Sequence, residues 1–469
     1  MLFGMSEPGD GLRVPSRSFR VFGDIDTFKF PLPPNVNPGG LKVSVCPLMY
    51  DKKWAYSVEI DDGPTTTLTV TQPLLAKYSF TTAPPGIKGG LRMPFVGGAA
   101  IYPFRIGTEN ASFLNWDQVH ELQSKGWSIL NHSYWHSGYS WDPKGALSAD
   151  RLRDEVFWSL SIIAAETPSG NAPTHFVFPN GYMEYKSVIN KFGILSASRV
   201  AGNKLVGSFK DADRLDIDRN YLDESVWSNS ANPLDGLPTN PKPEQMVIDF
   251  THGTDGDPKS ANYKRWIERL SWLERQFGST GSDTMWCAPT DTVIKYRLAA
   301  AYSKVTITGH NLVVQVPHEF ANSALTIKIV GANSKYMASW QRAIFDKHET
   351  TWWTTPVLTQ RGFRPPVPRV KRFYKGIIND MDFNPPIDLA AIRIRQFGMA
   401  TNAEMFVEIV DPKNVVTKLK IYNESTNWGV WHLIPIVPNK EAIKIKSIHL
   451  PKGTSFKELE IWTATDVPS

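Results

Sequence analysis

Two adjacent carboxylates, Asp61 and Asp62, lie between a run of strand-forming residues, 54–60, and a Gly-Pro turn. Two negative charges side by side are costly unless a cation or a proton lies between them. Further along the chain, His132 and His136 present two imidazoles four residues apart. A carboxylate and two imidazoles brought together would form a three-ligand site for a divalent metal ion, with positions left open for water and substrate.

Each of these patterns also has a plainer interpretation. Two adjacent aspartates at the end of a strand more often belong to a turn than to a catalytic site. Two histidines four residues apart are more often surface or core residues than metal ligands. The two patterns occur together, however, each directly after a predicted strand, and His252 follows a further predicted strand. This combination favours a metal site over the plainer interpretations.

Strands and helices alternate from about residue 49 to residue 302, which is typical of a parallel α/β sheet. A segment of this length favours a closed or nearly closed barrel, whose active site gathers at the C-terminal ends of the strands. The conspicuous polar residues all follow predicted strands, namely Asp61, Asp62, His132, Asn180 and His252. We therefore expect a single site at that end of a (β/α) barrel.

Local signals predict where the elements begin and end. Apolar residues at helical spacing, a Ser148 N-cap and glycines after helix ends indicate helices. The predicted helices are 115–125, 150–165, 184–192, 260–277 and 290–302, and the predicted strands are 54–60, 127–130, 174–178, 194–198, 246–250 and 284–287. The polar stretch 201–245 is predicted to be loop.

The predicted barrel is flanked by two regions of different character. Residues 1–48 are predicted to form an extended N-terminal segment that packs against a later part of the chain. Residues 303–469 contain short alternating runs such as 391–395, which are typical of β-strands. We interpret this region as β-sandwich material, in one domain or in two divided near 345–370, where prolines cluster.

The composition fits a folded chain of two or three domains. Of 469 residues, 41% are hydrophobic and 21% are charged, and the net charge is +5. The absence of a dense Lys/Arg block argues against nucleic acid as a partner, and the absence of a long apolar run argues against a membrane span. For Cys46 and Cys287, a disulfide and two buried free thiols both stay open, as does the oligomeric state.

The segments Asp61-Asp62-Gly63-Pro64 and Asn131-His132-Ser133-Tyr134-Trp135-His136 resemble the paired motifs of the polysaccharide deacetylases, carbohydrate esterase family 4, also called NodB-like deacetylases. The resemblance covers roughly residues 49–300. It implies a distorted (β/α) barrel and a divalent metal ion, usually zinc, with cobalt, nickel or manganese as alternatives. The implied activity is the hydrolysis of acetyl groups from N- or O-acetylated polysaccharides or oligosaccharides, so the implied partner is an acetylated glycan.

Carried over position by position, the resemblance implies three metal ligands, Asp62, His132 and His136. It implies that Asp61 is the general base. His252 resembles the late histidine of the family, which protonates the departing amine or alcohol.

The segment 179–181 matches part of a further family motif, which implies that a backbone N–H near Asn180 helps to hold the oxyanion. Tyr134 and Trp135 flank the ligands, and Tyr139 and Trp141 follow them. For these aromatic residues, contact with a sugar and packing in the core are equal alternatives.

Two features depart from the family pattern. Val177 stands where the family commonly has an arginine, so we expect Asp61 to lack its usual cationic partner. The Asp-rich motif of the family has no convincing match, although four aspartates lie in that part of the chain, namely Asp213, Asp216, Asp218 and Asp223. His120 and His175 fall inside predicted elements and are interpreted as structural.

A second hypothesis is that the barrel is catalytically weak or inactive and the protein binds carbohydrate. Its affinity would then come from tryptophans of the C-terminal region, namely Trp340, Trp352, Trp353, Trp428, Trp431 and Trp462. By analogy with the family, a β-rich accessory region favours an extracellular or periplasmic location. Residues 1–12 lack the layout of a signal peptide, so the chain is either a mature exported form or cytoplasmic.

Overall fold

The structure is a computed structural model of the chain, and it describes residues 25–463 with gaps. The gaps are residues 33, 35, 109, 139–145, 168–171, 201–213, 224–231, 321–323, 332–342, 346–349, 355–368, 376–380, 398–405, 421–430 and 450–454. Five residues singled out above lie outside the described residues, namely Tyr139, Trp141, Asp213, Trp340 and Trp428.

The strands and α-helices are numbered here in chain order. The strands are β1 (Ile25–Pro31), β2 (Lys42–Val45), β3 (Trp54–Ile60), β4 (Ser79–Thr81), β5 (Arg92–Pro94), β6 (Gly98–Ile101), β7 (Ser128–Asn131), β8 (His175–Val177), β9 (Ser196–Arg199), β10 (Ile217–Asp218), β11 (Asn220–Tyr221), β12 (Met246–Thr251), β13 (Met285–Cys287), β14 (Lys304–Thr308), β15 (Asn311–Pro317), β16 (Thr326–Val330), β17 (Ala343–Phe345), β18 (Thr350–Thr354), β19 (Arg369–Lys375), β20 (Met381–Phe397), β21 (Phe406–Val410), β22 (Val416–Lys420), β23 (Trp431–His449) and β24 (Ser455–Thr463). The helices are α1 (Gln72–Leu75), α2 (Trp116–Ser124), α3 (Ala149–Glu166), α4 (Lys186–Ile189), α5 (Ala261–Phe277) and α6 (Thr290–Tyr302).

A parallel sheet in the order β10-β9-β8-β7-β6-β3-β12-β11 forms the centre of the molecule, with β13 also paired to β3. Strands β10 and β11 lie at opposite ends of this order, although Arg219 alone separates them in the chain. The segment 217–221 therefore pairs with β9 through its first half and with β12 through its second half. This segment nearly closes the sheet, so the predicted distorted barrel is confirmed.

Strand β3 is the central element that carries the first motif. All seven of its residues are buried, as expected for a parallel strand covered on both faces. It pairs with β12 on one side and with β6 and β13 on the other. Because β3 ends at Ile60, Asp61 and Asp62 emerge at the C-terminal edge of the barrel.

The main helices begin within one residue of the predicted starts. Asn115 forms a capping box with Gln118 at the start of α2, and Ser148 caps α3 through the N–H of Arg151. Ser260 caps α5 in the same way. The predicted helix 184–192 is wrong in detail, because only α4 is α-helical and short 3₁₀ turns flank it on both sides.

The N-terminal strands belong to two antiparallel sheets that are otherwise built from residues after the barrel. Strand β1 pairs with β15, which pairs with β14, and β2 pairs with β16, which continues into β18 and β17. Leu312, Val314 and Ile327 bury their side chains in the same hydrophobic cluster as the barrel residues. The N-terminal segment is thus tied to the strands of residues 304–354.

The remaining strands form a six-stranded antiparallel sheet in the order β19-β24-β20-β23-β21-β22. One face has its own apolar cluster, which includes Ile392, Val407 and Ile434. A second cluster joins Leu433 and Trp462 of this sheet to aromatic residues of the barrel. These antiparallel sheets confirm the β-rich character predicted for the C-terminal region.

Cys46 and Cys287 are buried free thiols, so the disulfide alternative is wrong. Burial raises the pKa of both thiols well above the usual range, which makes them unreactive. Among the described residues, no helix combines the length and the hydrophobicity that crossing a membrane requires.

Candidate metal centre

Asp62, His132 and His136 converge at the C-terminal edge of the barrel. Oδ1 of Asp62 lies 3.4 Å from Nε2 of His132 and 3.3 Å from Nε2 of His136. One ligand atom from each residue lies within 4.8 Å of the others. Asp62 follows β3 and His132 follows β7, so the parallel sheet brings these two motifs together.

A backbone carbonyl orients the ring of His132. Its Nδ1 lies 2.8 Å from the carbonyl oxygen of Val177 in β8, and a carbonyl can only accept a hydrogen bond. Nδ1 must therefore carry a proton, so in the neutral imidazole the lone pair is on Nε2, the nitrogen that faces Asp62. Val177 stands where the family pattern led us to expect an arginine, and here its backbone contributes to the site.

His136 lies in a tight turn held by local hydrogen bonds. Its backbone N–H donates to Oγ of Ser133 at 2.9 Å, and the N–H of Ser133 donates to Oδ1 of Asn131 at 2.8 Å. The side-chain amide nitrogen of Asn180 lies 3.4 Å from Nδ1 of His136 and donates to the carbonyl of Gly138 at 2.9 Å. The structure thus brings Asn180 to the same edge as the two imidazoles.

Four non-glycine residues of this region have left-handed backbone conformations, which residues other than glycine rarely adopt. The φ angles are 70° at Asp62, 63° at Ser133, 57° at His136 and 49° at Asn180. Such conformations cost about 1 to 3 kcal/mol each and persist only where the surroundings enforce them. Their clustering here is typical of a functional site.

The charges of the cluster suit metal ligation. Burial disfavours the ionised form of Asp62, but the attraction of His132, His136 and His252 outweighs it and holds the pKa of Asp62 well below its usual range. Burial, reinforced by the neighbouring His132, lowers the pKa of His136 to about 4. At neutral pH the site therefore offers a carboxylate and a neutral imidazole, which are the forms that bind a metal ion.

Arg219 is the cationic partner of Asp61, so the expectation that Asp61 lacks one is wrong. Its guanidinium donates to both oxygens of Asp61, at 2.8 and 2.9 Å, and also to Oε2 of Glu59 at 2.9 Å. Asp61 is only 3% exposed, and Arg219 stacks on the ring of Phe250, 3.8 Å from its centroid. The arginine comes from the closing segment of the barrel and not from the position of Val177.

Behind Asp61 lies a buried polar network around Glu59. Nε2 of His175 lies 3.2 Å from Oε1 of Glu59, and Ser198 donates to Oε2 at 2.9 Å. Burial opposes ionisation of Glu59, but His175 and Arg219 together lower its pKa to about 2. His175 is fully buried in this network, in agreement with its interpretation as structural.

His252 is paired with Asp223, one of the four aspartates considered above. Nδ1 of His252 lies 2.6 Å from Oδ2 of Asp223, and the backbone N–H of His252 donates to Oδ1 at 2.8 Å. Burial alone would lower the pKa of His252, but Asp223, Asp61 and Asp62 raise it to about 9. Asp216 instead pairs with Arg199.

Tyr134 and Trp135 pack in the core, which decides between the two alternatives left open for them. Tyr134 is fully buried, and its hydroxyl donates to the carbonyl of Trp431 at 2.8 Å. Trp135 is 5% exposed, and the guanidinium of Arg151 covers it at 3.7 Å from the ring centroid. Buried rings offer little face to a sugar. The same holds for Trp431 and Trp462, which are 4% and 0% exposed.

Two residues of the site were not singled out from the sequence. Tyr102 directly follows β6. The centroid of its ring lies 5.1 Å from the ring centroid of His136 and 6.3 Å from that of His132. The sequence signal that could have identified Tyr102 is its position directly after a short apolar run. Arg219 lies in a stretch predicted as loop, where strands of two residues leave no periodic pattern.

The residues present fit a divalent metal ion. Among the described residues, Oδ1 of Asp62 is buried without a hydrogen bond of acceptable geometry, although two imidazole nitrogens face it. A buried carboxylate oxygen without a partner is costly. A cation between the three ligand atoms would satisfy it, and two imidazoles with one carboxylate are a donor set that zinc accepts.

A comparison with protein families identifies a match within the barrel. Residues 51–195 match the family described as polysaccharide deacetylase, so the resemblance inferred from the two motifs is confirmed for this segment. No curated protein matches the chain.

Several solved structures are distantly similar to this chain. A Streptococcus pyogenes deacetylase in complex with acetate is 14% identical, over 35% of this chain and 62% of that chain, with a TM-score of 0.27. A CE4 family pseudoenzyme from Bacillus anthracis is 14% identical, over 52% and 66%, with a TM-score of 0.31. A polysaccharide deacetylase from Bacillus cereus is 14% identical, over 51% and 92%, with a TM-score of 0.29. The chain thus spans less than two thirds of the first two of these proteins.

Proposed function

Because residues 51–195 match the polysaccharide deacetylase family, we propose that this protein is a metal-dependent hydrolase that removes acetyl groups from N- or O-acetylated polysaccharides or oligosaccharides. The observation that carries the proposal is the convergence of Asp62, His132 and His136 at the C-terminal edge of the barrel. Asp61 is next to Asp62 in the chain, and the charges of Asp61 and Asp62 raise the pKa of His252. In this proposal, Asp61 and His252 supply the remaining groups that acetyl transfer to water requires.

Asp62, His132 and His136 would hold the metal ion, with zinc as the first candidate and cobalt, nickel or manganese as alternatives. A divalent ion held there supplies Lewis-acid activation of water and of the acetyl carbonyl. The carbonyl of Val177 keeps His132 in the tautomer that can ligate, and the local hydrogen bonds of the turn keep His136 beside it.

Asp61 acts as the general base in this proposal. Arg219 binds both of its oxygens from one side, which fixes the orientation of the carboxylate and leaves other lone pairs available to accept a proton. A base that accepts a proton from the attacking water must be held in one geometry, and the bidentate contact provides it.

His252 acts as the general acid. With a pKa of about 9, its imidazole is protonated at neutral pH and can donate a proton to the departing amine or alcohol. Asp223 holds Nδ1, which leaves Nε2 free to face the leaving group. A backbone N–H near Asn180 is proposed to help hold the developing oxyanion, supported by its turn beside His136.

The substrate is an acetylated glycan, and by analogy with the family we place its hydrolysis outside the cytoplasm. Acetate release from chitin oligomers, peptidoglycan and acetylated xylan, with and without a chelator, tests the proposal. We expect release from at least one substrate, its loss with chelator and its return with Zn²⁺. Lack of release from all three by protein that carries stoichiometric metal would instead favour the weak or inactive barrel.

A further inference from the structure

The turn between the two imidazole ligands is in contact with the six-stranded C-terminal sheet. Tyr134 lies in this turn, and its hydroxyl donates to the carbonyl of Trp431 at the start of β23. Nε of Arg393 in β20 donates to the same hydroxyl at 3.2 Å. Both hydrogen bonds are buried, and they connect the ligand turn to residues of this sheet that lie 259 and 297 residues further along the chain.

Arg393 links this turn to a second loop of the site. It is fully buried and forms an ion pair with Glu460 of β24 at 2.8 Å. Another of its nitrogens donates to the carbonyl of Pro103 at 3.3 Å, in the loop that also contains Tyr102. A planar guanidinium with several donors suits such a junction, which an ammonium group does not reproduce.

Backbone hydrogen bonds complete the junction. The N–H of Phe104 donates to the carbonyl of Tyr134 at 3.2 Å, and the N–H of Trp431 donates to the carbonyl of Phe104 at 3.3 Å. On the other side, Glu155 of α3 accepts from the N–H groups of Tyr134 and Trp135 at 3.0 and 2.7 Å. The turn is therefore held between a helix of the barrel and the C-terminal sheet.

This support acts where the backbone is strained. Ser133 and His136, which have left-handed conformations, lie on either side of the anchored Tyr134 and Trp135. Such conformations persist only when the surroundings enforce them. Without the anchor on Tyr134, the turn can relax, and the imidazoles of His132 and His136 then no longer converge on Asp62.

We propose that the six-stranded sheet is a structural part of the metal centre, and that Arg393 is a positioning residue that acts through Tyr134 on the ligand turn. The inference rests on the part of the proposed function that assigns metal binding to Asp62, His132 and His136. It gives the β-rich C-terminal region a role other than glycan binding.

The test uses the full chain and measures metal affinity directly, without substrate. The affinity for Co²⁺ is measured by competition with a chromophoric chelator, and the ligand geometry is followed by the visible spectrum of the Co²⁺ protein. The variants are Tyr134→Phe, which removes the anchoring hydroxyl, and Arg393→Met. The matched control is Tyr296→Phe, because the buried hydroxyl of Tyr296 also bonds backbone groups across an interface of the barrel, at Cys46 and Thr326.

We expect the affinity for Co²⁺ to fall about 10- to 100-fold in Tyr134→Phe and Arg393→Met, with a changed spectrum, because outer partners of metal ligands have effects of this size. Tyr296→Phe should lower the thermal stability but keep the wild-type affinity and spectrum. If Arg393→Met does not fold, Tyr134→Phe decides the question alone. Wild-type affinity in a folded Tyr134→Phe variant would overturn the inference and leave the proposed function intact. Lack of Co²⁺ binding by the wild type would overturn both.

Discussion

Replacing Arg219 with methionine removes the guanidinium that donates to both Asp61 and Glu59. Glu59 is fully buried and Asp61 is 3% exposed, so the substitution leaves two buried carboxylates without this partner. We expect the variant to lose both stability and activity, for separable reasons.

The loss of stability follows from the burial of the charges. Removing one partner of a buried ion pair costs about 3 to 5 kcal/mol. The pKa of Glu59 is lowered from 4.5 to about 2, which corresponds to about 3 kcal/mol at about 1.4 kcal/mol per pH unit. His175 contributes more to this lowering of the pKa than Arg219 does. Because Glu59 can take up a proton when Arg219 is absent, we expect a loss near the lower limit, about 3 kcal/mol at pH 7.

The loss of activity follows from the orientation of Asp61. A general base that is displaced by about 1 Å costs on the order of 100-fold in rate. We therefore expect kcat to fall about 100-fold, with KM changed by less than about 3-fold, because Arg219 lies behind the base. Arg219→Lys should recover part of the stability but little of the activity, since an ammonium cannot bind both oxygens of Asp61 in the same plane.

Urea unfolding at pH 7 measures the stability, and acetate release at saturating Zn²⁺ measures kcat and KM. The matched control is Arg269→Met, because Arg269 forms a fully buried bidentate pair with Asp249, at 2.6 and 2.7 Å, elsewhere in the barrel. Both variants should lose stability, and only Arg219→Met should lose kcat. Equal kcat in the two folded variants would refute the positioning of Asp61 by Arg219, and unchanged stability in Arg219→Met would refute the electrostatic reasoning.

Three further predictions concern other groups of the site. Asp223 raises the pKa of His252, so Asp223→Asn should move the basic limb of the plot of kcat against pH from about 9 towards lower pH. A basic limb that does not move would exclude His252 as the general acid. His132→Ala should abolish stoichiometric Zn²⁺ binding measured by elemental analysis. His120→Ala should retain it, since the imidazole of His120 forms a hydrogen bond with the backbone carbonyl of Glu166 and is not one of the three candidate ligands. Ionised Glu59 contributes fully to stability above about pH 4.5, its pKa in the unfolded chain, and this contribution is lost as the pH falls towards 2. Glu59→Gln should therefore flatten the acid part of a plot of unfolding free energy against pH.

Much of the barrel could be predicted because its signals are local. The strand 54–60, the N-cap at Ser148 and the helix predicted over 260–277 depend only on neighbouring residues. The strand and the cap lie where they were predicted, and the helix begins one residue later, after its cap at Ser260. The order of strands then brings Asp62 and His132 to one edge, because parallel strands share their C-terminal side.

The missed features depend on contacts between distant parts of the chain. Arg219 reaches Asp61 only because residues 217–221 close the barrel, and strands this short have no periodicity to recognise. Tyr134 is buried by Trp431 and Arg393, which come from another sheet. A motif shows that an aromatic residue follows a ligand, but it does not show which distant surface covers that residue.

The pairing of the N-terminal strands with β15 and β16 affects how the chain folds during synthesis. Asp26 pairs with Val316, which is made 290 residues later. At a synthesis rate of about 5 to 20 residues per second, about 15 to 60 seconds pass between the synthesis of strand β1 and that of its partner β15. Throughout that time it has an unpaired edge that can associate with other chains. The barrel core can form before its flanking sheets, whereas those sheets form only after residues 311–330 have emerged.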